Sequence, residues 1–282
     1  GFNVPFNMFA IKNKMTELDG DVSYIGLPTS VIHSLNFDQE VSRSAIGQPI
    51  GSFYAYKEDG LFQSEAEIKS YTNNKGELLQ PNAKPGDIKF VDVNGDGVID
   101  GNDRDYIGNP LPDVTAGLTL GVNFHNFDLS LFFQGMFGND VYDLTRYVGD
   151  FYNQSQYNKN SRVVNAWTPT NTNTDIPRVT MDDPNNNIRP SSYYVQDASF
   201  VRLKNMKIGY SVPQSILSKI KFNSLYIYAQ ATNLFTITGY DGIDPEVGLQ
   251  SYSSDYRNLD MGVDRGIYPL SRTFTFGVNV SF

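Results

Sequence analysis

Val114-Thr115-Ala116-Gly117-Leu118-Thr119-Leu120-Gly121-Val122-Asn123-Phe124, followed across His125-Asn126 by Phe127-Asp128-Leu129-Ser130-Leu131-Phe132-Phe133-Gln134-Gly135-Met136-Phe137, decides the fold of this chain. In the first arm Val114, Ala116, Leu118, Leu120, Val122 and Phe124 are apolar, and the residues between them are small or polar. In the second arm Phe127, Leu129, Leu131 and Phe133 share one face, with Asp128, Ser130 and Gln134 on the other. A period of two is the mark of a strand with two unlike faces, and the two-residue break between the arms marks a tight hairpin. Each arm has about the 9–11 residues that a tilted strand needs to cross a bilayer. The expectation is an all-β fold, a piece of a membrane β-barrel.

Composition is compatible with this reading without forcing it. The 282 residues are 40% hydrophobic, as in many soluble proteins, and no run is apolar enough for a transmembrane helix. A barrel hides from such counts because every second strand residue faces a wet interior. The 19 Phe and 18 Tyr beside one Trp suit aromatic girdles at the membrane interfaces, although an aromatic-rich soluble β-sandwich would share them. The absence of cysteine excludes disulfides and thiolate sites, and a net charge of −9 argues against nucleic acid as a partner. No signal-peptide pattern opens the sequence, which starts in mid-strand, so a fragment or processed C-terminal piece is expected.

Working outward, about six spanning strands emerge: Phe2 to Ile11, the two hairpin arms, Ser199 to Val212, Leu225 to Thr232, and Thr273 to Phe282. The strand Ser199 to Val212 is regular only from Met206 onward; its part through Arg202 and Lys204 is not. Residues 19–113, 139–198 and 236–270 lack sustained alternation and are rich in Gly, Pro, Asn and Ser. In a barrel these are the long extracellular loops, while the hairpin of residues 114–138 and the connection 213–223 turn at the periplasmic side. Residues 199–282 then hold the last three strands. Six strands cannot close a pore, so further strands must complete the wall.

The sharpest short motif is a twelve-residue loop at 92–103. Asp92, Asn94 and Asp96 stand at positions 1, 3 and 5 of a calcium loop, Gly97 at the turn position 6, and the Val98 carbonyl at 7. Asp100 is at position 9, and Asp103 replaces the usual Glu at 12 with a side chain one methylene shorter. Hard oxygen donors in this spacing point to calcium, in an ordering rather than catalytic role. A solvated Asp/Gly turn is the plain alternative. Catalysis is not expected: His33 and His125 are the only histidines, and no H-E-x-x-H, G-x-S-x-G or G-x-G-x-x-G occurs. Tyr147, Tyr152, Tyr193 and Tyr194 could stack on sugars or peptides, but packing within loops is the commoner use of such rings.

Several segments together resemble the C-terminal part of the SusC-like (SusC/RagA) TonB-dependent outer-membrane transporters of Bacteroidetes. They are Gly47-Gln48-Pro49-Ile50-Gly51-Ser52-Phe53-Tyr54 with Asp59-Gly60-Leu61-Phe62, Pro85-Gly86-Asp87-Ile88-Lys89-Phe90, Ile107-Gly108-Asn109-Pro110 and Ala166-Trp167-Thr168-Pro169. Asp197-Ala198-Ser199-Phe200-Val201-Arg202-Leu203-Lys204-Asn205, Ala231-Thr232-Asn233-Leu234-Phe235, Asp244-Pro245-Glu246 and Arg272-Thr273-Phe274-Thr275-Phe276-Gly277 follow in the same order. The resemblance implies a barrel of about 22 strands, with a plug and earlier strands supplied by an N-terminal portion. It further implies TonB as energy source, a SusD-like surface lipoprotein as partner, outer-membrane lipid around the wall, and an oligosaccharide or peptide as cargo. Phe282 resembles the terminal aromatic of a barrel-assembly signal. Two other readings stay open: a secreted calcium-dependent binding or dockerin-like adhesion module, and a porin-like passive channel. A dockerin would show a duplicated loop with helices, whereas one loop among strands is found. Which cargo is taken lies beyond the sequence.

Overall fold

The computed structural model describes residues 1–26, 39–154, 158–248 and 259–282. His33 lies outside the described residues. The alternating segments form one antiparallel sheet of six lanes, in which neighbours in sequence are neighbours in space. Its first lane consists of β1 (Phe2–Asn3) and β2 (Phe6–Ala10). In the first long connection follow β3 (Tyr24–Gly26), β4 (Ser42–Ala45), β5 (Ser52–Tyr56), β6 (Glu58–Leu61), helix α1 (Glu65–Ser70), β7 (Ile88–Phe90) and β8 (Arg104–Gly108). The hairpin is β9 (Val114–Phe124) and β10 (Phe127–Phe137). The second connection holds β11 (Asp140–Asp143), α2 (Thr145–Gly149) and β12 (Val195–Asp197). The wall resumes with β13 (Phe200–Ser211), the short helix α3 (Gln214–Ile220) and β14 (Ser224–Thr232). After them come β15 (Thr236–Thr238), β16 (Val263–Asp264) and finally β17 (Thr273–Ser281). Among the described residues no helix is long and apolar enough to cross a membrane.

Register turns the alternation into two surfaces. Leu120 faces Leu131, which faces Met206, which faces Ala231, which faces Phe274. One residue on in the same ladder, Gly121 faces Ser130, which faces Lys207, which faces Gln230, which faces Thr275. Apolar partners thus share one face across the lanes and polar partners the other, as a wall between lipid and water requires. The outer face is exposed in the chain alone, with Phe274 at 62% and Phe276 at 81%. Aromatic residues gather at its lower rim, where Phe2, Phe124 and Phe127 are exposed and Phe127 lies 4.6 Å from Tyr210. On the inner face Tyr226 donates to Asp128 at 2.9 Å, and Lys207 sits about 5.0 Å from the Tyr226 ring. Gly209 and Gly277 make room for these rings, since a Cβ there would come within 2.0 Å of the Tyr226 hydroxyl and 2.3 Å of the Tyr228 ring.

Three departures from the expected strands have local causes. The first lane is interrupted at Val4-Pro5, because proline has no N–H for the ladder; its carbonyl still accepts from Thr119, and the register on both sides is the same. In β13 a bulge at Lys204 shifts the pairing with β10 by one residue, from Asn205 opposite Phe132 to Leu203 opposite Phe133. This is why the pattern through Arg202 and Lys204 is irregular. The expected loop 236–270 also begins too early: Thr236–Thr238 pairs with β13 and prolongs the β14 lane past a kink at Asn233, whose φ is 51°. Within the same loop, β16 pairs in parallel with β11.

All three long connections leave the same end of the wall and the short ones, His125-Asn126 and 212–223, close the other. The long ones build a common body. Its core takes Val41, Phe53, Ile88 and Phe90 from the first, Tyr142, Leu144, Trp167 and Tyr194 from the second, and Leu259 and Val263 from the third.

The outward register generates a direct test. Leu131→Lys, near the middle of the band, should destabilise the assembled wall by roughly 2–4 kcal/mol. Ser130→Lys, its inward neighbour, should change stability by less than about 1 kcal/mol. Folded fraction by gel mobility after refolding of the whole protein into lipid vesicles measures both; equal effects would refute the assignment of faces.

Candidate functional site

Above the wall the second connection turns from β11 into α2, and this turn carries the polar centre of the loop body. Arg146 is 6% exposed and spans three segments. Its guanidinium donates to the Tyr193 carbonyl at 2.8 Å and to Asp241 at 3.0 Å, and its Nε lies 3.5 Å from Asp143. Asp143 is itself buried, accepting from the Thr145 hydroxyl at 2.5 Å and from Gln196 at 2.9 Å; its burial raises its pKa despite these donors and the cation. Asp150, with its carboxylate wholly buried, gathers the Tyr193 hydroxyl at 2.7 Å, Asn160 at 2.9 Å and Arg162 at 3.1 Å.

Two hollows meet at the Arg146–Asp241 pair. The larger, about 540 Å³, is lined by Asp143, Thr145, Asn160, Arg162, Gly242 and Asp264 as well as that pair. The smaller, about 360 Å³, is lined on its far side by Glu58, Asp175, Gln196 and Asp197. Both have the size of small-ligand clefts. Their walls carry hydrogen-bonding groups of both kinds with few apolar side chains, which suits hydroxylated or peptide-like ligands more than apolar ones. Glu58 is the perturbed group. Burial pushes its carboxyl up to about 7, and the neighbouring Asp175 adds to the rise while Arg146 opposes it.

The third connection is fastened to the wall beneath this cleft. Arg202, 2% exposed, donates to Asp244 at 2.5 Å, to Glu246 at 3.0 Å and to the Thr236 hydroxyl at 2.8 Å, and Lys204 reaches Glu246 at 2.7 Å. The bulge in β13 is what places these cations on the inner side. Without it, the parity of Met206 and Ile208 would carry Arg202 to the lipid.

The calcium-like loop lies between β7 and β8, its turn partly or fully exposed and Asp103 buried at its end. Asp92 accepts from Gly95 at 2.8 Å and from Gly97 at 2.9 Å, so position 1 binds the turn glycine at position 6. Asn94 accepts from the Asp96 amide, Asp96 from the Val98 amide and Asp100 from the Asn102 amide. Asp103 is fully buried, one oxygen taking the amide of Val93 and the other that of Asp100, at 2.9 and 2.8 Å. The spacing is that of a calcium loop, but among the described residues no three acidic or histidine side chains converge. Asp103, with both oxygens taken by donors, fits a ligand role least. The loop tyrosines divide as well. Tyr147, Tyr193 and Tyr194 are buried in the core, and only Tyr152 is partly exposed.

Sequence reasoning missed Arg146, Asp241, Glu58 and the Arg202 clamp. The first three stand in stretches without periodicity and meet only through long-range packing. Arg202 did leave a trace, as the cation that broke the alternation of its strand.

Glu58 couples the stability of the loop body to pH. Its folded pKa of about 7 exceeds the ordinary 4.5, so between these values the folded chain holds a proton that the unfolded one has lost. Stability therefore falls as pH rises through this window and stays lower above it. Glu58→Gln should stabilise the loop body at pH 8, on the order of 2 kcal/mol, and do little at pH 4.5. Hydrogen exchange of the 58–61 and 192–197 segments against pH reads this out, and a pH-independent difference would contradict it.

No family model matches the chain. Among curated proteins it is similar to the TonB-dependent receptor P3 of Formosa agariphila, 36% identical over all 282 residues and 27% of the receptor. It is also similar to the TonB-dependent receptor SusC of Bacteroides thetaiotaomicron, 26% identical over the whole chain and 24% of that protein. The chain thus spans about a quarter of the length of these relatives. Among solved structures, the RagAB peptide transporter superposes with a TM-score of 0.70 at 22% identity, over 100% of the chain and 27% of that one, a likeness of fold.

Proposed function

Since the chain is a relative of the SusC-like TonB-dependent receptors, β-barrel proteins of the bacterial outer membrane, we propose that it forms the C-terminal wall and the surface loops of a nutrient importer. The remaining strands and the plug come from the N-terminal portion of the same transporter, TonB supplies the energy, and a SusD-like lipoprotein cooperates in capture. The cargo is an oligosaccharide or a peptide. The observation that carries this reading is the match along the whole chain, wall and loops alike, to receptors of this kind. The polar clefts around Arg146 support a hydroxylated or peptide cargo over an apolar one, and the lipid-facing band argues against a secreted adhesion module. Nothing in the proposal requires catalysis by this chain.

Deletion of the whole transporter should abolish growth on one class among oligosaccharides and peptides supplied as sole nutrient, and a lipoprotein should co-purify with the intact protein. Arg146→Ala should reduce uptake of that cargo at least about tenfold, as loss of a buried, multiply bonded cation from a binding cleft would. Unchanged uptake of every oligosaccharide and peptide by the deletion strain would overturn the proposal.

Calcium binding at 92–103 is a second, independent proposal, supported by the spacing and by the Asp92–Gly97 bond that shapes the turn. Asp92, Asn94, Asp96, the Val98 carbonyl and Asp100 would hold the ion, with Asp103 anchoring the loop beneath it. Calcium would order the loop and offset the repulsion of its carboxylates. Adding calcium to the chelated whole protein should then slow hydrogen exchange in residues 92–103, and Asp92→Asn with Asp96→Asn should remove the response. Asp103→Ala should accelerate exchange with or without calcium, because it strands buried amides. A loop indifferent to calcium in the unaltered protein would dispose of the idea.

A further inference from the structure

The charges around the two hollows that meet at the Arg146–Asp241 pair do not balance. Together the hollows are lined by six carboxyl groups, those of Glu58, Asp143, Asp175, Asp197, Asp241 and Asp264, against the guanidiniums of Arg146 and Arg162. Both cations are already shared. Arg146 lies between Asp143 and Asp241, and Arg162 bonds Asp150 and Asp175 at 3.1 Å each. Lys159, next in sequence to Asn160 of the lining, donates its ammonium to the carbonyls of Val148 and Phe151.

The imbalance is concentrated in the smaller hollow. In the larger one Asp143 is met by Thr145 and Gln196, and Asp264 by the Tyr240 hydroxyl and the amides of Gly266 and Ile267. In the smaller one the Glu58 carboxyl accepts no hydrogen bond and has no ion pair among the described residues. The donors beside it are engaged elsewhere: Gln196 serves Asp143, and Arg146 serves the Tyr193 carbonyl and Asp241. Asp175, Asp197 and Asp241 are exposed. Burial and the charge of Asp175 push Glu58 up to about 7, so the hollow holds a proton where it lacks a cation. Two other kinds of occupant fit less well. A metal ion needs converging ligands, and no three acidic side chains converge among the described residues. A neutral sugar ring would use an open aromatic face. The one ring in the linings, Tyr193, is 3% exposed, with the Arg146 and Arg162 guanidiniums 5.5 and 5.9 Å from its centre. Carboxylates spaced around a recess attract an extended organic cation and repel an anion.

We propose that the paired hollows select cargo by charge, taking an ammonium group of the cargo against Glu58, Asp197 and Asp241 in the smaller hollow and rejecting cargo that is anionic at that position. The ammonium belongs to a peptide, as a lysine or a chain start, or to an amino sugar of an oligosaccharide. Arg146 and Arg162 then hold the acids in place rather than meet the cargo. This deepens the reading of the cleft as the cargo site and rests on it.

The test offers the whole transporter two pools, random C-terminally amidated pentapeptides carrying one lysine and short glucosamine oligosaccharides. Each pool is presented with its amines free, acetylated or succinylated, so that the same position is cationic, neutral or anionic, and the retained molecules are counted by mass spectrometry. In at least one pool the free amines should be retained roughly tenfold more than the acetylated form, and the succinylated form least of all; the pool that shows this identifies the source of the ammonium. The preference should shrink as salt is raised. Glu58→Gln with Asp197→Asn should cut it to about twofold or less, in protein whose gel mobility shows an assembled barrel. Equal retention of the three forms in both pools overturns the proposal. An undiminished preference in the double variant overturns it too, because charge is then selected outside this cleft. If cargo is retained and imported without regard to charge, only the charge selection has failed. If the transporter takes up no peptide or oligosaccharide of any kind, the importer reading fails and this inference with it.

Discussion

In hydrocarbon each unpaired backbone N–H or C=O costs several kcal/mol, and no water is present to supply the missing bond. The six-lane sheet follows from that constraint. Its lanes run in chain order, each pairing antiparallel with its neighbours, so no interior strand of the wall leaves a row of peptide groups facing lipid. The same constraint explains where irregularity is tolerated. Pro5, which cannot donate, sits on an edge lane and breaks the strand without moving its register. The edges formed by β1/β2 and β17 need partner strands in the membrane, and six lanes do not bend far enough to pair with each other.

Constraint at the wall also shapes what stands above it. Because the strand ends are fixed in a row, the three long connections emerge side by side and fold against one another. Their shared core contains Phe53, Tyr142, Trp167, Tyr194 and Val263. One of the segments that carry the family resemblance, Pro85 to Phe90, is a joint of this body. Gly86 has a φ of 88° and a Cβ position 2.4 Å from the Trp167 ring, so only glycine lets the two segments approach. Its neighbour Asp87 is fully buried and pairs with Arg178 at 2.6 Å.

The wall was therefore legible in the sequence and the body was not, for one physical reason. In Val114–Phe137 each residue's environment depends on its parity alone, so period-two alternation predicts both strand limits and both faces. In the body, Glu58, Arg146 and Asp241 are brought together from three connections by packing, and no local pattern carries that information. Two intermediate cases mark the boundary. Thr236–Thr238 reads as loop because the kink at Asn233 hides its continuity with β14. The 92–103 spacing was visible at once, but the burial of Asp103, which depends on the amides of Val93 and Asp100 around it, was not.

The most consequential irregularity is the bulge at Lys204. By switching faces it takes Arg202 out of the lipid register and commits it to Asp244 and Glu246, so one cation is both part of the wall and the anchor of the third connection. Three residues before Asp244, on the same segment, Asp241 pairs with Arg146 at the junction of the two hollows. The wall and the cleft are thus joined by one short stretch of chain, held at one end by Arg202 and at the other by Arg146. Arg202 and Asp244 are both nearly excluded from water, so parting them is disfavoured, whereas Asp241 is largely exposed and Arg146 keeps Asp143 beside it. Displacement of the β13 lane must then either carry Asp241 with it or break a buried pair, and carrying Asp241 alters the cleft. A regular strand in place of the bulge would have given a smoother wall and no mechanical connection to the site above it.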